Sequence, residues 1–122
     1  MIDGYRKGWA LRYLREAKAE LLAAQKMPYM APSLVLEAMR KAQVAIYYTL
    51  GEPAFVETVV IQNAGKKQPV ADPVLRCLVE MERTIREFSQ TEEVQIDKAL
   101  QHGGDMVQMA SEIVELWTGE SQ

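Results

Sequence analysis

Apolar positions recur along this chain with helical spacing almost from end to end. Ala10, Leu14, Ala17, Leu21 and Ala24 step by alternating fours and threes, which lines one face of a helix. Trp9, Tyr13 and Leu22 widen that stripe, and Arg12, Arg15, Glu16, Lys18 and Glu20 fall outside it. The pattern predicts a first helix from Asp3 or Arg6 to Lys26, stopped by Pro28. Pro32 suits the first turn of a second helix, where its missing N–H costs nothing. That helix carries Val35, Ala38 or Met39, Ala42, Ala45 or Ile46 and Thr49 on one stripe, widened by Leu36, and runs to Leu50. Gly51 is expected to form a left-handed C-terminal cap, with Pro53 barring continuation.

From Pro53 to Ala64 a shorter segment puts Phe55, Val56, Val59 and Val60 on one helix face, with Gly65 as its cap. Thr58-Val59-Val60-Ile61 would also suit a strand, but a lone strand among helices has no partner. Residues 65–69 read as a loop. Asp72-Pro73 is an N-cap acceptor followed by proline at the first helical position. Val74, Leu78, Met81, Ile85 and Phe88 then mark a helix to about Ser89. Ser89 and Glu92 have capping-box spacing for the next helix, with Thr91 as an alternative cap. The last stripe is Ile96, Leu100, Gly103, Val107, Ala110, Val114 and Trp117. It keeps phase through Gly103-Gly104, which favours one long helix with Gly103 on the buried seam over a break capped by Asp105. The expected architecture is all-α: an up-and-down four-helix bundle with one short extra helix. It forms a single domain over residues 3–118, followed by a disordered tail at 119–122.

The length of 122 residues fits one domain with a core of its own. One cysteine excludes an internal disulfide framework, and one cysteine with one histidine excludes a zinc finger or a His-rich metal site. A net charge of −3 is unlike that of a dedicated nucleic-acid binder. The halves differ, however: residues 1–51 carry a net +4 and residues 52–122 a net −7. No stretch has the apolar length of a membrane span, no signal-peptide core follows the N-terminal charges, and Cys77 suits a reducing interior, so a cytoplasmic protein is expected.

Candidate chemistry is sparse. A di-iron bundle needs Glu-x-x-His pairs, and Ala99 stands three positions before His102. Carboxylate pairs such as Glu16/Glu20 and Glu112/Glu115 have the spacing for magnesium but lie off their apolar stripes, as solvated faces do. Glu80, Glu82, Glu87, Arg83 and Arg86 read as surface ion pairs. Cys77 reads as a small, partly buried apolar residue. No catalytic residue, metal or cofactor is expected. Arg12, Arg15 and Lys18, with Arg40 and Lys41 extending the patch and Tyr5, Trp9 and Tyr13 interleaved, are candidates for contacting RNA or nucleotide phosphates. Tyr47 and Tyr48 are candidates for anchoring a partner.

The stretch from Leu11 to Ala24 and the stretch Glu37-Ala38-Met39-Arg40-Lys41-Ala42-Gln43-Val44-Ala45-Ile46-Tyr47-Tyr48-Thr49-Leu50-Gly51-Glu52-Pro53 resemble the opening helices of HEPN (higher eukaryotes and prokaryotes nucleotide-binding) domains. The resemblance covers residues 9–53. It implies an all-helical bundle, often dimeric, of a kind that includes RNases of toxin–antitoxin systems and proteins that sit beside small nucleotidyltransferases. Its ribonuclease members carry Arg, four to six residues, then His. Before His102 those positions hold Gln95, Ile96 and Asp97. The resemblance therefore implies a non-nuclease module acting through protein–protein contact or self-association as a homodimer, with a small nucleotidyltransferase as a possible partner. RNA or nucleotide binding is the alternative, and a magnesium-dependent nucleotide hydrolase a third reading.

Overall fold

The computed structural model describes residues 3–119, which are all-α. Five helices follow in order: α1 (Gly4–Lys26), α2 (Ala31–Leu50), α3 (Pro53–Ala64), α4 (Pro73–Gln90) and α5 (Ile96–Thr118), with one 3₁₀ turn, Pro28–Met30, between α1 and α2. No strand occurs among the described residues. Local chemistry explains most boundaries. The Asp3 carboxylate accepts from the Arg6 amide at 2.8 Å, and the Asp72 carboxylate accepts from the Leu75 amide at 2.9 Å. Each satisfies an amide that the first helical turn leaves without a partner. Proline lies in the first turn of α2, α3 and α4.

Helix α2 is central. It packs on α1, α5, α4 and α3, and Val35, Ala38, Met39, Ala42, Ala45 and Ile46 are fully buried. Helix α1 buries Ala10, Ala17 and Ala24, and small side chains on both helices permit close approach. The two run antiparallel: Arg6 reaches Tyr48 and Thr49, while Glu16 and Glu20 meet Lys41. Helix α5 is continuous through Gly103 and Gly104. An added Cβ at Gly103 would stand 2.8 Å from Val35 Cγ1 and 3.3 Å from Leu21 Cδ1, so only glycine fits this crossing without displacement. No single helix among the described residues is long and apolar enough to cross a membrane.

Several expectations need correction. Gly51 is not left-handed: its φ of 177° and ψ of −157° are extended. A Cβ there would stand 3.2 Å from Val56 Cγ2, so close approach of α3 gives the glycine its role. The left-handed cap is Gly119, at φ 75°, whose N–H donates to the Glu115 carbonyl. The rest of the expected tail, residues 120–122, lies outside the described residues. Ser89 and Thr91 do not cap α5. Their hydroxyls donate back to the carbonyls of Arg86 and Glu87 at 2.8 Å and 2.7 Å, which completes the end of α4 instead. Helix α5 begins after Gln95 without a side-chain cap. On α3 only Val60 is buried, and Phe55 projects into solvent, as Leu22 does on α1.

Candidate functional site

The basic face of α1 is largely consumed by internal contacts. Arg6 Nε donates to the Tyr48 carbonyl at 2.9 Å and its terminal nitrogen to the Thr49 carbonyl at 3.2 Å, so it closes the C-terminal end of α2. Arg12 donates to Glu16 at 3.1 Å and lies 5.0 Å above the Trp9 ring. Lys41 holds Glu16 at 3.1 Å, Glu20 in a short contact and Glu37 at 3.6 Å. The hydrogen bonds to Glu20 and Glu16 keep its ammonium above the ordinary lysine range against the opposing pull of burial. The bonds from Lys41 and Arg12 hold the Glu16 carboxyl below its usual range. Glu16 and Glu20 are thus not a freely solvated face. They enclose a lysine ammonium, which takes the place a divalent cation would need. Lys18 is half-buried, while Arg15 and Arg40 are exposed. The four proposed phosphate contacts, Arg12, Arg15, Lys18 and Arg40, therefore stand among Glu16, Glu20 and Glu37 rather than on an uninterrupted cationic surface.

The paired tyrosines separate. Tyr48 is half-buried and stacks with Trp9 and Tyr13, its ring centroid 6.2 Å and 5.8 Å from theirs. Tyr47 is 2% exposed, because α2 is central and turns this ring inward. Burial, and then the charge of Glu82, push its phenol well above the ordinary tyrosine range. Glu82 is also buried, contrary to the surface ion pair expected of it: it accepts from Gln43 at 2.8 Å and from Arg86 at 2.7 Å. Glu82 stands four positions after Leu78 and three before Ile85, but no local signal in the sequence shows that Gln43 would face it across helices.

A second surface lies between α4 and α5, which the sequence reading did not single out. Val74 and Trp117 end two stripes that predict core positions, yet they are 48% and 51% exposed. They line one groove of about 240 Å³ together with Leu50, Leu78, Ile113 and Leu116. Leu116 is 81% exposed. Such a contiguous apolar patch marks an interaction surface more often than scattered exposed residues do. The sequence signal was available: Leu116 is a large apolar residue immediately beside the end of a helical stripe.

A further groove along the same helix pair, of about 260 Å³, is lined by Cys77, Met81, His102, Met106 and Met109 among others. The Cys77 thiol donates to Met109 Sδ at 3.0 Å, and burial pushes the thiol up from its ordinary range. His102 is exposed at the edge of this groove. Comparison of the chain with protein-family models, with curated proteins and with solved structures gave no match.

Proposed function

We propose that this chain is a non-catalytic, HEPN-like helical module that works by self-association, with a second copy seated on the α4–α5 face. The four long helices are read as an up-and-down bundle within one cytoplasmic domain. The exposure of Val74, Leu116 and Trp117 around one apolar groove carries the reading. Covering a side chain of this size contributes about 1.5–3 kcal/mol.

The occupant follows from shape. The projecting Leu116 and the groove lie on the same face, so a two-fold axis can place each leucine toward the other copy's groove. Leu116→Glu tests this arrangement: it is expected to abolish self-association, and a variant that associates as the wild type does refutes the pairing.

RNA or nucleotide binding is supported by one specific observation, the guanidinium of Arg12 over Trp9 with Arg15 exposed nearby. The interleaved carboxylates weigh against it. Salt-sensitive RNA binding lost in an Arg12→Ala/Arg15→Ala chain would favour this second reading.

A further inference from the structure

Helices α4 and α5 both pack on α2, but their backbones hardly approach one another. The gap between them continues beyond the Leu116 end. Three hollows, of about 260, 260 and 300 Å³, follow one another from Cys77 and Met109 to the α4–α5 connection. Thr84 and His102 border both the first and the second, and Phe88 and His102 both the second and the third. From Cys77 to Phe88 the groove follows about 16 Å of α4, or about three helical turns. Its floor is apolar. Met81 and Met106 are nearly buried, Phe88 and Val94 half-buried, and Met109 is 37% exposed. Methionine is flexible enough to reshape itself around an incoming apolar side chain. The rim is acidic: Glu80, Glu87, Glu93 and Asp105 line the hollows, against Lys98 and His102. Arg83 holds Glu80 at 3.0 Å, but Glu87, Glu93 and Asp105 form no ion pair among the described residues. On α1 the opposite holds, since Glu16 and Glu20 are engaged by Arg12 and Lys41.

We propose that this stretch of the α4–α5 groove docks a basic amphipathic helix, about three turns long, from a partner protein. The methionine floor takes its apolar stripe, and Glu87, Glu93 and Asp105 meet lysines or arginines on its flanks. A helix brings its backbone groups already paired. An extended segment needs a sheet edge to pair with, and no strand occurs among the described residues. The rim repels an acidic helix, a nucleic-acid strand and an anionic lipid surface alike. A second copy of this chain does not supply the occupant, because its basic helix α1 already buries Ala10, Leu14 and Ala17 in its own core. The site adjoins the Leu116 groove at Cys77, which borders both, but shares none of the residues that carry self-association.

The test is fluorescence anisotropy of a labelled synthetic peptide of about 14 residues, long enough to hold a helix once bound, titrated with the full chain. The peptide carries leucine along one helical face and lysine elsewhere, and a second peptide replaces every lysine by glutamate. The lysine peptide is expected to bind once per chain, less tightly as salt rises, and the glutamate peptide is expected not to bind. Glu87→Lys/Asp105→Lys is expected to weaken binding by about tenfold, through reversal of two rim charges. Glu52→Lys/Glu57→Lys makes the same charge change at exposed positions that line none of the three hollows. It is expected to leave affinity within about twofold. All four positions are exposed, so helicity and melting temperature are expected to hold. Leu116→Glu is expected to bind the lysine peptide as the wild type does, so this proposal and self-association fail separately. No binding of the lysine peptide overturns the proposal. So does equal binding of the two peptides, or an equal loss in the two charge variants, which reduces the effect to general attraction. Loss of peptide binding in Leu116→Glu overturns the assignment to this end of the groove.

Discussion

Arg6 Nε donates to the main-chain carbonyl of Tyr48 at 2.9 Å, joining the start of α1 to the end of α2. Together with the contact to Thr49, this supplies donors to carbonyls that the last turn of a helix leaves unpaired. Arg6→Ala is expected to destabilise the fold by about 1.5–3 kcal/mol, since both bonds come from a charged, half-buried donor. Arg15→Ala, on the exposed side of the same helix, is expected to change stability by less than about 0.5 kcal/mol. Urea denaturation of the two variants separates the cap from the surface charge.

The two glycines of α5 are expected to behave differently. A methyl at Gly103 meets Val35, whose branched side chain has little rotamer freedom, whereas at Gly104 the nearest atom is Leu21 Cδ2 at 3.9 Å. Ala in place of Gly gains about 1 kcal/mol of helix propensity at either site. At Gly103 overpacking costs about 1–3 kcal/mol against that gain. Gly104→Ala is therefore predicted to be the more stable variant in thermal melts, and the reverse order would contradict the packing of α5 on α2.

The polar contact of Gln43 with Glu82 ties α2 to α4 within the buried interior. Glu82→Ala leaves the Gln43 amide without its acceptor and is expected to cost about 1–3 kcal/mol. Glu82→Gln keeps the volume and an acceptor oxygen, so it is expected to cost less. Equal losses in denaturation experiments would show that the bond contributes nothing specific.

Much of the fold was legible because one signal, an apolar repeat of threes and fours, governs each helix. The repeat through Gly103 stayed in phase because the glycine itself packs against α2. Asp3, Asp72 and the prolines worked as boundary signals because a cap acts within one turn. The burial of Tyr47 and Glu82 and the ion pairs around Lys41 share one cause. Their environments depend on which helices flank α2, and periodicity within one helix does not specify its neighbours. Val74 and Trp117 carry the complementary lesson: a stripe shows that a face is apolar, not that this chain covers it.

The Lys41 cluster sets a pH dependence. Glu16 has a folded pKa below its unfolded value, near 4.5, because Lys41 and Arg12 stabilise the carboxylate. Its contribution is present above that unfolded value and is lost as pH falls through the lower, folded one. Lys41 is shifted the other way, upward from 10.5. Its contribution is complete below 10.5 and is lost as pH rises through the folded value. Melting temperature is expected to fall at both extremes, and Lys41→Met is expected to flatten both limbs. Unchanged limbs in that variant would locate the pH dependence elsewhere.

Sedimentation of the wild-type chain and of Leu116→Glu over a concentration series tests self-association most directly. The wild type is predicted to approach twice its 13.8 kDa chain mass as concentration rises. Leu116→Glu, an exposed substitution that leaves the core intact, is predicted to remain at the single-chain mass with an unchanged melting temperature. A wild type that stays monomeric throughout, or a Leu116→Glu chain that dimerises as the wild type does, would contradict the assignment of the α4–α5 face.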